Sequence, residues 1–265
     1  MLDIHTISIL GCGWYGFALA ENLVKAGYTV KGSSTSIDKF KKLEDEGIKP
    51  YQVKFESDSE SYQDDFFKSD LLIISIPPKR SSGEAGLYPS KIQRIKAAIQ
   101  KAGVKQVLFI SSTGVYGDHN QEVDEDTEPK PDSESGKAIL SAEKILKDQK
   151  DFAVTILRFG GLIGPGRDPA RFFAGKKNIP NGKAPVNLIH LKDCIGVSNA
   201  IIQRKAFGYT FNACADTHPE KMKFYTLTAQ KSRLEIPEFI EELNEWKIVT
   251  SRYLDKVLEY KTSSL

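Results

Sequence analysis

The stretch Thr6–Gly27, T-I-S-I-L-G-C-G-W-Y-G-F-A-L-A-E-N-L-V-K-A-G, decides the fold of this chain. A β-rich apolar run stops at Gly11, and from Gly16 a segment with one apolar helical face runs to Gly27. The pattern predicts a strand, a glycine turn and a helix. Gly11 suits the tight turn, Gly13 lets a diphosphate approach the backbone, and Gly16 lets the helix pack closely on the strand.

This turn predicts a dinucleotide-binding site. The first N–H groups of a helix face an anion placed at its start. A bare G-x-G-x-x-G is weak support, but here the motif follows a strand and opens a helix, which is the required context. The alternative is a plain strand-to-helix turn. We therefore expect cofactor contacts from the whole segment: Gly11, Cys12, Gly13, Trp14, Tyr15 and Gly16.

Composition excludes several function classes. Lys plus Arg number 37 and Asp plus Glu 35 in the 265 residues, and the basic residues are scattered, so a nucleic-acid partner is not indicated. The longest apolar runs, such as Leu71–Ile76, are strand-sized and far short of a membrane span. The absence of a membrane span and of a basic-then-apolar leader predicts a cytoplasmic protein. Cys12, Cys194 and Cys214 are widely spaced, so we expect neither disulfides nor a metal site.

Strand patterns alternate with helix patterns along most of the chain. This alternation predicts an α/β fold: a Rossmann-type, doubly wound parallel sheet. We assign residues 1–160 to an NAD(P)-binding domain and residues 161–265 to a smaller substrate-side α/β elaboration, interleaved with the first. The predicted segments after the glycine turn are strands Tyr28–Gly32, Lys49–Phe55, Leu71–Ile76, Gln106–Ile110 and Tyr209–Ala213, and helices Ser36–Gly47, Ser90–Ala102, Ser135–Lys147, Asp193–Arg204 and Pro219–Ser232.

Ligands of doubly wound sheets lie at the carboxyl ends of the strands. Four such ends should meet in one cleft: Gly11–Gly16, Ser33–Thr35, Pro77–Arg80 and Ser111–Gly117. We therefore expect Ile76, Pro77 and Ser111 to border the cofactor.

The end of the second strand predicts which cofactor binds. An NAD site usually has Asp or Glu here for the ribose 2′-hydroxyl, whereas this chain has Ser33, Ser34 and Thr35, with Lys39 a turn later. Hydroxyls and a lysine suit a 2′-phosphate. We expect NADP rather than NAD. The alternative is an ordinary loop followed by a helix that Ser36 caps.

Four later motifs occur in a recognisable order. They are F-I-S-S-T-G-V-Y-G at 109–117, V-D-E-D-T-E-P at 123–129, L-R at 157–158 with I-G-P-G at 163–166, and N-L-I-H-L-K-D at 187–193. With the glycine turn, they resemble the extended short-chain dehydrogenase/reductases, the sugar-nucleotide epimerase/dehydratase family, over most of the chain. The resemblance implies an NAD(P)-dependent oxidoreductase or epimerase acting on a small polar or nucleotide-linked hydroxyl or carbonyl compound.

The same resemblance implies roles for individual residues. Ser112 matches the family's Ser or Thr that hydrogen-bonds the reacting oxygen, and Tyr116 matches a tyrosine beside the substrate, so both are the candidate catalytic residues. By residue type alone, Ser112 could equally cap a turn and Tyr116 could be a half-buried aromatic. Arg158 matches a structural arginine. His190 and Asp193 match the segment where a substrate-side strand returns to a helix.

One departure from the family concerns its acid/base pair, Tyr-x-x-x-Lys on a helix. The alignment puts Ser135 at the tyrosine and Ile139 at the lysine, and neither can exchange the proton. Ser133 and Lys137 have the right spacing but lie two positions early, which turns them roughly 200° away on a helix. The chain therefore resembles an atypical branch of the family. The alternative function is an NADP-binding sensor or regulatory module that has lost its chemistry.

Two expectations concern partners. An anionic substrate would suit the basic residues of segment 164–183, although a solvated surface explains them equally well: Arg167, Arg171, Lys176 and Lys177. The helices Ser90–Ala102 and Ser135–Lys147 correspond to those that pair in the family's dimers, so a homodimer is expected from the resemblance.

Overall fold

The computed structural model of the chain describes residues 3–78 and 84–265. Its strands are β1 (Thr6–Leu10), β2 (Thr29–Ser34), β3 (Lys49–Gln52), β4 (Lys54–Phe55), β5 (Glu60–Ser61), β6 (Leu71–Ile74), β7 (Gln106–Ser112), β8 (Gln121–Val123), β9 (Ala153–Phe159), β10 (Gly161–Ile163), β11 (Leu188–His190), β12 (Thr210–Ala213) and β13 (Lys247–Val249). Its α-helices are α1 (Trp14–Lys25), α2 (Phe40–Asp45), α3 (Tyr88–Ala102), α4 (Glu134–Lys147), α5 (Leu191–Gln203), α6 (Lys221–Lys231) and α7 (Leu254–Leu258). Lys79 and Arg80, predicted to border the cleft, lie outside the described residues.

Seven strands form the central sheet in the order β12-β9-β7-β6-β1-β2-β3, and every neighbouring pair is parallel. The predicted doubly wound α/β fold is therefore confirmed. The strand order reverses at β1, which lies between β2 and β6. A crevice opens at such a switch point, beyond the carboxyl ends of the strands.

Both faces of this sheet are covered. Strand β6 is the clearest case, because its four residues, Leu71–Ile74, are all 0% exposed. On one face α1 buries Leu19 and Leu23 beside Val197 and Ile201 of α5. On the other face α3 and α4 bury a second apolar cluster. A strand covered on both faces reads as an unbroken apolar run, which is why β6 was recognisable from sequence.

Two predicted elements are divided. The helix expected over Ser36–Gly47 consists of a short 3₁₀ turn, Ile37–Lys39, followed by α2. The strand expected over Lys49–Phe55 ends in the main sheet at Gln52, and β4 then pairs antiparallel with β5 in a separate hairpin. Both cases lie at the edge of the sheet, where apolar patterning is weaker.

The regions 1–160 and 161–265 contribute strands to the same sheets. Strand β12 belongs to the second region but pairs with β9 at one edge of the central sheet. Strand β13 pairs in parallel with β8, which belongs to the first region. Strands β10 and β11 form a further parallel pair at the substrate side. Over the described ranges, no helix is both long and apolar enough to cross a membrane.

Candidate functional site

The glycine turn joins β1 to α1 with backbone geometry that only glycine suits. Gly11 has a φ of +103°, and a Cβ there would lie 2.7 Å from Cγ2 of Ile76. A Cβ on Gly16 would overlap the carbonyl oxygen of Gly11. The close packing predicted for the third glycine is therefore present. Ile76 packs against the turn, and its contact with a cofactor stays a prediction.

Gly13 differs from the other two glycines, because a Cβ there would meet nothing within 4 Å among the described residues. The N–H groups of Trp14, Tyr15 and Gly16 precede the first helical hydrogen bond, from the Phe17 N–H to the Gly13 oxygen at 2.9 Å. No side chain of the described residues caps this helix. An open approach to three amides at an uncapped helix start fits the diphosphate of a dinucleotide.

The end of β2 supports this turn directly. The Ser33 hydroxyl accepts a hydrogen bond from the Gly11 N–H at 2.8 Å, and the Ser33 carbonyl accepts one from the Cys12 N–H at 3.0 Å. The Ser34 hydroxyl bonds within its own loop, to the backbone of Ser36. Both serine hydroxyls thus hold the backbone in the conformation that receives a cofactor. The Ser34 hydroxyl hydrogen is already used, whereas the Ser33 hydroxyl only accepts, and both residues are buried. Their role as 2′-phosphate ligands stays a prediction.

The rest of the serine-rich loop is more open. Thr35 is exposed. Ser36 caps the 3₁₀ turn by accepting from the Asp38 N–H at 3.3 Å, as the alternative interpretation of this loop expected. Cys12 is a packing residue, and burial raises the pKa of its thiol to about 12.

A pocket of about 350 Å³ lies beside the glycine turn, on the side of α2. The side chains of Lys39 and Lys42 line it, and the Lys42 ammonium lies 4.1 Å from the centroid of the Phe17 ring. Its lining residues are Cys12, Gly13, Trp14, Phe17, Lys39, Lys42 and Leu43. Two cations next to the turn predicted to bind a diphosphate would suit a further phosphate.

Lys42 and Phe17 were missed in the sequence analysis. The available signal was the spacing: Lys42 follows Lys39 by three positions, which places the two on one side of a helix. Phe17 lies one residue after the motif and carries no polar group. Only the packing of α2 against α1 brings its ring under the lysine.

The carboxyl ends of β6 and β7 lie at the same edge of the sheet as the glycine turn, because these strands run parallel to β1. Pro77 lines a smaller pocket of about 60 Å³, and the Ile76 carbonyl accepts from the Tyr88 hydroxyl at 2.7 Å. Ser112 is half-buried, and its oxygen accepts from the Gly114 N–H at 3.1 Å. Since no hydrogen bond from the Ser112 hydroxyl is found in the described structure, its hydrogen is available for a substrate oxygen. The catalytic role of Ser112 stays a prediction.

A buried polar network lies behind the cleft. The Ser111 hydroxyl donates to Glu143 at 2.5 Å, and Arg158 forms a two-pronged pair with the same carboxylate at 2.9 and 2.6 Å. The third guanidinium nitrogen of Arg158 donates to the Tyr116 hydroxyl at 2.7 Å, and that hydroxyl donates to Asn212 at 2.9 Å. Every member is hydrogen-bonded, which is what a polar group in a core requires.

This network corrects the role expected for Tyr116. Tyr116 is 1% exposed. Its hydroxyl already accepts a hydrogen bond from Arg158 and donates one to Asn212. Burial raises the pKa of Tyr116 above its ordinary value, against the opposing effect of Arg158. Tyr116 therefore does not face the cleft as a proton donor. Ser111 likewise turns its hydroxyl inward, so only its backbone can border a cofactor.

Tyr116→Phe is expected to lower the free energy of unfolding by about 1–3 kcal/mol, because Arg158 and Asn212 each lose a buried partner. Cofactor affinity should stay unchanged. Urea unfolding followed by circular dichroism, together with a cofactor titration, measures both quantities. Unchanged stability combined with weakened cofactor binding would contradict the structural role.

Helix α4 lies where the family carries its acid/base pair. A Cβ on Gly136 would lie 2.6 Å from the Gly114 oxygen, so the helix packs tightly on the turn that follows Ser112. Ile139 is 8% exposed and carries no polar atom. Lys137 is exposed and pairs with Glu134 at 2.7 Å, which raises the pKa of Lys137. Lys137 is thus a surface charge, which agrees with its position two residues early in the helix.

The substrate-side segment reaches the glycine turn through Trp14. The Trp14 indole N–H donates to the Pro165 carbonyl at 2.7 Å, and the Arg167 guanidinium lies 4.6 Å from the indole centroid. His190 is exposed and accepts from the Lys192 N–H at 3.2 Å, so it caps α5. Within the part of the chain that is described, no group of three His, Cys, Asp or Glu residues could hold a metal ion.

Comparison with known proteins agrees with this geometry. The sequence model of a family described as NAD(P)H-binding matches residues 11–187. Protein YeeZ of Escherichia coli (strain K12) is 36% identical over 244 residues, which cover 91% of this chain and 89% of that protein.

Two solved structures illustrate the shared fold. UDP-glucuronic acid 4-epimerase from Bacillus cereus, in complex with NAD, has a TM-score of 0.82 at 17% sequence identity. The alignment covers 98% of this chain and 94% of the epimerase chain. A functionally unknown conserved protein from Silicibacter pomeroyi DSS has a TM-score of 0.75 at 23% sequence identity. That alignment covers 97% of this chain and 93% of the Silicibacter pomeroyi chain. The chain thus belongs to the NAD(P)H-binding family, and its fold is that of the epimerase/dehydratase-type short-chain dehydrogenase/reductases.

Proposed function

We propose that this protein binds NADP(H) and acts as an oxidoreductase or epimerase on a small polar or nucleotide-linked hydroxyl or carbonyl compound. The observation that carries the cofactor preference is the pair Lys39 and Lys42 in the pocket beside the glycine turn. The 2′-phosphate distinguishes NADP from NAD, and two ammonium groups favour it. No Asp or Glu stands at Ser33–Thr35, where an NAD site would hold the 2′-hydroxyl.

Each part of the cleft has a task in this proposal. The amides of Trp14, Tyr15 and Gly16 hold the diphosphate, and the nicotinamide, when bound, supplies hydride transfer. Ser112 donates its hydroxyl hydrogen to the reacting oxygen and orients the substrate. An anionic substrate would be drawn by the basic residues of segment 164–183, among which Lys177 is already paired with Glu238 at 3.2 Å.

A second candidate function is favoured by the buried network. With Ser135 and Ile139 at the family's tyrosine and lysine positions, the cleft lacks the usual proton-exchanging pair, and Tyr116 is held in the core. A protein that binds NADP(H) and passes its redox state to a partner would need no such pair. Turnover separates the two functions: net oxidation of NADPH by small carbonyl compounds, or epimerisation of a sugar nucleotide without net cofactor oxidation, supports the enzyme, and tight binding without either reaction supports the sensor.

Lys42→Ala is expected to weaken NADP binding about tenfold and to leave NAD binding unchanged, because one charge-assisted hydrogen bond to the 2′-phosphate is lost. Isothermal titration with both cofactors measures the difference. Lys41→Ala is the matched control, since Lys41 is exposed, pairs with Asp45 at 2.6 Å and does not line the pocket. Equal losses for NADP and NAD, or a similar loss in the control, would argue against the 2′-phosphate assignment.

A further inference from the structure

A tight turn of the substrate-side segment lies against the first residue of α1. Gly164 and Arg167 exchange two backbone hydrogen bonds, of 2.8 and 3.2 Å, and Gly164 and Gly166 have φ values of +143° and +76°. Three distant parts of the chain meet there: the glycine turn at Trp14, the segment 164–167, and His190 at the end of β11.

Trp14 holds this turn at two points. Its indole N–H donates to the Pro165 carbonyl, and its ring carries the Arg167 guanidinium above its face. Stacking on an indole is the strongest form of cation–π contact. The same contact restricts the rotamers of a long side chain, so less entropy is lost when the guanidinium meets a ligand. The Arg167 guanidinium is thus oriented, before any ligand binds, beside Trp14, the first residue of α1.

The charge of Arg167 is not neutralised locally. Among the described residues, no carboxylate lies within 4.0 Å of its guanidinium, whereas Lys177 and Lys183 of the same segment have glutamate partners. The next residue, Asp168, caps a 3₁₀ turn and accepts from the Ser232 hydroxyl at 2.7 Å. An exposed arginine with a fixed orientation and no acidic partner fits an anion from outside the chain.

We propose that Arg167 binds the diphosphate of the dinucleotide from the substrate side, opposite the amides of α1. This inference rests on the proposed cofactor function. The planar guanidinium matches two phosphate oxygens at once, which a point charge does not. Trp14 then serves twice: its backbone N–H contributes to the anion site, and its ring positions the arginine. Bound cofactor would also tie segment 164–167 to the glycine turn.

The test compares NADP affinity in Arg167→Ala and in the control Arg171→Ala, which removes the same charge from a neighbouring exposed position. Isothermal titration should show about tenfold weaker binding of both NADP and NAD for Arg167→Ala and little change for Arg171→Ala. Arg167→Lys should recover only part of the affinity. Unchanged NADP affinity in Arg167→Ala, or an equal loss in Arg171→Ala, would overturn the proposal.

A second readout reports on Trp14 itself. The chain has two tryptophans, Trp14 and Trp246, so Trp246→Phe leaves the indole under Arg167 as the single reporter. In that background, NADP should shift Trp14 fluorescence, and Arg167→Ala should move the midpoint of the titration to higher cofactor concentration. If wild type binds neither cofactor, the proposed function fails; if it binds both and the midpoint stays where it was, only the role of Arg167 fails.

Discussion

Gly13→Asp is expected to abolish NADP and NAD binding, lowering affinity by orders of magnitude, while the protein still folds. The new side chain has room, because a Cβ on Gly13 meets no described atom within 4 Å. Its carboxylate would stand where the diphosphate approaches the first amides of α1, and like charges placed together in this way cost several kcal/mol. Isothermal titration measures the loss, and thermal unfolding shows whether the fold survives.

Two further variants separate charge from size in this experiment. Gly13→Asn adds the same volume without the charge, and Gly13→Ala adds one methyl group to a backbone that is extended at this residue, with φ −82° and ψ −154°. Both should bind the cofactor more tightly than Gly13→Asp. Equal binding by wild type and Gly13→Asp would mean that the diphosphate does not lie at this turn.

Arg158→Met is expected to destabilise the protein by about 3–5 kcal/mol, because it leaves the carboxylate of Glu143 buried without a cation. The two side chains are only 5% and 3% exposed, so water cannot replace the lost partner. Tyr116 loses a donor in the same change. Urea unfolding measures the free energy, and a stability within error of wild type would contradict the role given to the pair.

The double variant Glu143→Leu/Arg158→Met tests the reason for that loss. Replacing both charges by apolar groups removes the uncompensated carboxylate, so much of the stability should return. The two single effects should therefore be strongly non-additive. A double variant as unstable as the sum of the singles would mean that packing, not charge, sets the cost.

The fold was predictable because its signals are local. The run Leu71–Ile74 is apolar throughout, and Gly11 and Gly16 each meet a steric requirement that no other residue satisfies. Segments of this kind specify strand, turn and helix without knowledge of their neighbours. The order of the alternating elements then leaves few topologies for a parallel sheet.

Parts of the site were not predictable because tertiary packing decides them. Tyr116 follows a strand end and matches a family tyrosine, yet Arg158 and Asn212, 42 and 96 positions away in sequence, draw its hydroxyl into the core. Ser111 carries a hydroxyl at the end of a strand that borders the cleft, but Glu143, 32 positions away in sequence, accepts its hydrogen in the core. Sequence shows which groups are available, and only the packed chain shows which are already used.

The pairing of β13 with β8 bears on how the chain folds during synthesis. Lys247 lies beside Gln121, so the strand that completes this pair leaves the ribosome more than a hundred residues after its partner. At about 5–20 residues per second, β8 waits on the order of ten seconds without the strand that pairs with it among the described elements. Contacts so far apart in sequence also slow folding after release, because a long loop must close before they form. The nascent protein can therefore build its glycine turn and most of its sheet well before its substrate side is complete.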